Sequence, residues 1–120
     1  MADRVLFMGW RQPYRGAEEQ AVQAFDETVG MIGRWQHEGR LESFEVVLLA
    51  PNADLGGYFT VRGTADQINE LQADEEFQRA TMRAQLAVEG LRHIPGAIGE
   101  GVARQMGWYR EAAAAVEQHA

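Results

Sequence analysis

The chain's sequence predicts an α+β fold with the order β-α-β-β-α-β and an added C-terminal helix. Three observations carry this. Leu41 to Gly63 forms a strand–loop–strand unit, LESFEVVLLA-PNADLG-GYFTVRG, whose two arms each alternate in residue type. Amphipathic stretches with helical spacing lie on either side, Ala17 to Glu38 and Glu75 to Val88. Two short outer runs, Arg4 to Gln12 and Leu91 to Ile98, read as the remaining strands. This order gives a four-stranded antiparallel sheet with helices on one face.

The first strand has the faces Val5, Phe7, Gly9 and Leu6, Met8, Trp10, and Pro13 and Gly16 end it. In the first helix Ala21, Phe25, Thr28, Ile32 and Trp35 share a stripe, with Val22 and Val29 beside it. Glu18 and Glu19 suit its first turn, where the helix dipole favours negative charge, and Gly39 follows as a stop. In the hairpin, Leu49 is placed opposite Tyr58, Val47 opposite Thr60 and Glu45 opposite Arg62. One face is then purely apolar: Phe44, Val46, Leu48, Phe59 and Val61. The other is mixed: Glu45, Val47, Leu49, Tyr58, Thr60 and Arg62. A register error of two residues leaves this sorting intact, because side chains alternate with period two.

Thr64-Ala-Asp-Gln67 reads as a capping box opening a short helix with Ile68 and Leu71 inward. Asp74 caps a second segment that carries Phe77, Thr81, Ala84 and Val88 inward. Pro95 and Gly96 make the fourth strand short, bulged or an edge. The final helix, Gly101 to about Gln118, has the stripe Val102, Met106, Tyr109, Ala113 and Val116. The apolar hairpin face is expected under the helices. Leu6, Met8, Trp10, Val47, Leu49 and Tyr58 are expected on the other face, too apolar to stay in water, so a second copy of the chain is expected to cover it.

At 120 residues and 46% apolar content the chain reads as one domain spanning 1–120. A net charge of -7 argues against a nucleic-acid backbone as partner. All eleven basic residues are Arg, so no lysine is available for Schiff-base chemistry. The absence of cysteine excludes disulfides, thiolate catalysis and iron–sulfur ligation. No secretion signal or membrane span is read, which makes the cytoplasm the expected compartment and leaves no membrane among the expected partners. Gly96 to Gly101, GAIGEG, has the wrong glycine spacing for a dinucleotide fingerprint. The three histidines include no H-x-x-x-H pair, so no metal and no cofactor are expected.

The element order, length and uncovered aromatic face resemble the dimeric α/β-barrel superfamily, ferredoxin-like chains whose sheets pair into a barrel. That superfamily includes muconolactone isomerases, cofactor-free antibiotic-biosynthesis monooxygenases and small YciI-like proteins. Asp74-Glu-Glu-Phe77 is similar to the "-DDPEF-" turn of YciI-like and muconolactone-isomerase-like members, although it lacks the proline. The resemblance implies a homodimer and transfers no catalytic residue.

Candidate site residues are Trp10, Glu45, Tyr58, Arg62 and His93. His93 is a candidate general base, or else a hydrogen-bonding residue at a dimer seam; its face is left open by the nearby proline. Glu45 and Arg62 read first as a structural cross-strand pair. Trp10, Tyr58 and Met8 suit either an aromatic pocket or the apolar centre of an interface. Trp35 and Trp108 read as packing residues, and His37 and His119 as residues near helix ends. The leading expectation is a homodimer that binds a small apolar or aromatic molecule in a sheet-lined cavity. The alternatives are a cofactor-independent isomerase or monooxygenase acting on an acidic aromatic substrate, with His93 as base and Arg62 steering the anion, and a plain protein-interaction module.

Overall fold

A computed structural model describes residues 1–118; His119 lies outside them. The elements run β1 (Arg4–Trp10), β2 (Gln12–Pro13), α1 (Glu18–His37), β3 (Ser43–Leu48), β4 (Gly57–Gly63), α2 (Ala65–Ala73), α3 (Glu75–Ala87), β5 (Val88–Glu89), β6 (Arg92–Ala97) and α4 (Glu100–Gln118). The main sheet has the order β3-β4-β1-β6 with every pair antiparallel. The expected β-α-β-β-α-β order therefore holds, and β6, the strand with Pro95, lies at an edge as its composition requires. A two-residue bridge of β2 with β5, not foreseen from the sequence, ties the end of β1 to the end of α3.

Local chemistry sets the helix boundaries. Thr64 accepts from the Gln67 backbone N–H at 3.2 Å, and the Gln67 side chain accepts from the Thr64 N–H at 2.9 Å, closing the capping box of α2. Asp74 accepts from the Phe77 N–H at 3.0 Å and caps α3. Gly39 takes φ 75°, the left-handed conformation in which chains commonly leave a helix. Ion pairs of Arg34 with Glu76 and Arg83 with Glu27 tie α1 to α3 across their exposed sides.

The hairpin register differs by two residues from the expected one. Val47 faces Tyr58, Glu45 faces Thr60, and Ser43 faces Arg62. Asn52 explains the shift, because its side chain organises a longer loop. It accepts from the N–H groups of Asp54 and Leu55, both at 2.9 Å, and donates to the carbonyls of Ala50 and Leu55. Leu49 is thereby drawn out of the strand, and Gly57 sits beside the Trp10 indole, where an added Cβ would lie 2.7 Å from its ring. The face sorting survives the shift. Glu45 and Arg62 keep a common face as diagonal neighbours, and no ion pair joins them among the described residues.

The faces of β1 are the reverse of the expectation. Leu6 lies opposite Val61, Met8 opposite Phe59, and Trp10 opposite Gly57, so these three share the covered face. Leu6, Ile32, Trp35, Val61 and Leu71 form the fully buried centre of the core. Arg40 stacks its guanidinium 3.3 Å over the Trp35 ring. Val5 and Phe7 share the opposite face with Val47, Tyr58 and Ile94, and no side chain there is buried. Both faces of β1 are apolar, so alternation alone does not choose between them, and pairing with β4 decides.

The last helix, α4, projects from the body. Its stripe is exposed, with Tyr109 and Val116 each 69% accessible. Trp108, read as a packing residue, is 55% exposed and packs into no core of this chain. The radius of gyration is 17.1 Å, against about 14 Å for a compact chain of this length. Among the described residues no helix is long and apolar enough to cross a membrane.

Candidate ligand cavity

Between α1, α3 and the covered sheet face lies a cavity of about 370 Å³. Its interior walls are apolar because the inward stripes of both helices meet the inward residues of β1 and β4. Met8, Met31, Phe59, Phe77 and Ala80 are buried there. Trp10, Phe25 and Phe59 form a cluster with ring centroids 5.5 to 6.2 Å apart, and the Trp10 and Phe25 planes meet at 75°. The rim is made by exposed residues, among them Pro13, Glu18, Val22 and Leu48.

Few polar groups face this space. His93 lies opposite Met8 on β6 and so projects into the cavity, against Phe77 at 5.4 Å between ring centroids. Burial pushes its pKa below the ordinary histidine value of 6.5, which keeps the ring neutral at pH 7. Among the described residues its imidazole has no hydrogen-bond partner, and no buried side-chain nitrogen or oxygen lacks one, so its ring nitrogens reach open space. Thr28 and Thr81 donate their hydroxyl protons to the Ala24 and Phe77 carbonyls of their own helices, at 2.8 and 2.9 Å. Glu18 at the rim accepts from the Gly16 N–H through both carboxylate oxygens, at 2.9 and 2.8 Å.

The five candidate residues thus divide between the two faces. Trp10 and His93 line the cavity. Glu45, Tyr58 and Arg62 are on the open face, with Tyr58 stacked on Phe7 at 5.1 Å. The sheet separates Arg62 from His93 within one chain, so the structure does not bring together the residues read as base and anion guide. Thr28 and Thr81 were missed as cavity groups, although each had a legible signal: a polar residue inside the apolar stripe of a sheet-facing helix. Glu18 gave none beyond its favourable place in the first turn of a helix.

No protein-family model matches the chain, and no curated protein sequence does. Solved structures do match its fold. A dimeric protein of unknown function with a ferredoxin-like fold from Bacteroides fragilis aligns with a TM-score of 0.59 at 11% identity, over 79% of this chain and 96% of the other. A dimeric ferredoxin-like protein of unknown function from Jannaschia sp. aligns with a TM-score of 0.55 at 14% identity, over 80% and 98%. SnoaB, a cofactor-independent oxygenase from Streptomyces nogalater, aligns with a TM-score of 0.51 at 16% identity, over 81% and 92%. The chain has the ferredoxin-like α+β fold that the sequence predicts, in common with these proteins.

Proposed function

We propose that this chain forms a homodimer and binds an apolar, aromatic small molecule in the cavity between α1, α3 and the sheet. The observation that carries the reading is an apolar cavity with one imidazole on its wall and no protein partner for that imidazole. The volume falls within the range of about 300–1,000 Å³ usual for small-molecule sites, whose walls are mainly apolar with a few placed polar groups. Dimerisation through the open face, as in a dimeric α/β barrel, has support from its unburied Val5, Phe7, Val47, Tyr58 and Ile94 and from the exposed stripe of α4. The dimeric structural neighbours add to that support. Kinship with YciI-like and muconolactone-isomerase-like proteins belongs to the same reading, supported by the Asp74 cap at the start of α3. The cytoplasm remains the assigned compartment on the sequence grounds given above.

A second reading is cofactor-independent catalysis, and His93 is the observation that favours it. A neutral imidazole on the wall of an apolar cavity can accept a proton from a bound hydroxyl or activated carbon. SnoaB, with the same fold, is a cofactor-independent oxygenase. Native mass spectrometry of freshly purified protein tests the first reading. A dimer carrying a small organic molecule is expected. A bare monomer, together with no binding of any two-ring aromatic probe, overturns it. Turnover of such a probe that is lost in His93→Gln moves the protein to the second reading.

A further inference from the structure

The polar atoms around the cavity have an unequal hydrogen-bonding character. The Thr28 and Thr81 hydroxyls have their protons committed to helix carbonyls, so toward a ligand they act as acceptors. The Glu18 carboxylate is an acceptor only. His93 supplies one ring N–H and one acceptor nitrogen. Among the described residues no arginine lines the cavity, and Glu18 is its one ionised side chain. A bound carboxylate needs several donors or a cation, and here it meets one N–H inside and a negative charge at the entrance. A ring hydroxyl finds acceptors for its proton, and the imidazole N–H for its oxygen.

We propose that the cavity selects uncharged aromatic molecules bearing a hydrogen-bond donor and turns away carboxylates, with Glu18 as the rim residue that sharpens the choice. This rests on the cavity being a ligand site, and it runs against an acidic substrate. Two contributions set the size of the effect. Taking an unpaired carboxylate from water into an apolar space is strongly unfavourable and gives most of the discrimination. The Glu18 charge acts through solvent at the rim, adding a smaller, salt-dependent part.

The experiment is calorimetric titration of the full chain with 2-naphthol and with 2-naphthoate at about pH 7.5, where the acid is ionised and the phenol is not. The naphthol is expected to bind at least about tenfold more tightly. Glu18→Gln is expected to narrow that ratio by about threefold at low ionic strength, and added salt to narrow it in the unaltered chain. Equal or tighter binding of the naphthoate overturns the selectivity while leaving the cavity as a ligand site. A ratio that neither Glu18→Gln nor salt moves overturns the role given to Glu18. Binding of neither compound overturns the ligand site, and the selectivity with it.

Discussion

The two faces of the β3-β4-β1-β6 sheet are both rich in apolar side chains, yet only one is a core. On the covered face Leu6 and Val61 are fully buried beneath α1 and α2, and the space left between α1, α3 and the sheet is the cavity. On the open face Phe7 and Tyr58 shield each other, and Ile94 is 52% exposed. The covered face is packed by the chain's own helices apart from its cavity, whereas the open face has no cover among the described residues. Hydrophobic content alone does not decide which face of a strand becomes core; the pairing of β1 with β4 does.

The largest effects should come from the covered face. Leu6→Ala removes a fully buried side chain and is expected to destabilise the chain by about 2–5 kcal/mol in denaturant unfolding. A loss below about 1 kcal/mol would mean that the packing drawn here is wrong. Tyr58→Arg on the open face should act on assembly instead. Sedimentation is expected to show monomers or insoluble protein, with the unaltered chain dimeric at micromolar concentration. A stable monomer for the unaltered chain would remove the distinction between the two faces.

Much of this architecture was legible in the sequence. The capping box at Thr64, the Asp74 cap, the helix stripes and the order of elements along the chain all follow from local chemistry, and local chemistry is preserved in the fold. The hairpin sorting was legible even with its register two residues out, because a two-residue slip preserves the faces. The faces of β1 were not legible, since Val5 and Phe7 are as apolar as Leu6 and Met8. His93 was legible as a candidate, but its face depended on the pairing of β6 with β1. The site was therefore half visible: Trp10 and His93 were named, and the acceptors Glu18, Thr28 and Thr81 were read as helix residues. Their convergence is tertiary.

Smaller effects sharpen the contrast. The lowered His93 pKa means that the folded chain binds fewer protons than the unfolded chain as pH falls from 6.5 toward the folded value. The stability contribution is present above 6.5 and is lost as pH drops through the folded value. His93→Gln should flatten that loss and shift stability at neutral pH by no more than about 1 kcal/mol. A pH profile of unfolding that is unchanged by the substitution would contradict the burial of His93. The smallest effect belongs to Glu45 and Arg62, which are exposed diagonal neighbours with no ion pair. Their double-mutant coupling should be at most about 0.5 kcal/mol.

The methionines allow the central claim to be tested directly. Met8 and Met31 line the cavity, while Met82 and Met106 are exposed and lie outside its walls. Methyl-labelled methionine NMR during titration with 2-naphthol reports both sets in one spectrum, because an aromatic ring shifts the methyls it touches. Saturable shifts of Met8 and Met31, with Met82 and Met106 unmoved, are expected. Shifts confined to Met82 or Met106, or no shift at Met8 and Met31 under saturating probe, would contradict the covered face as the ligand site.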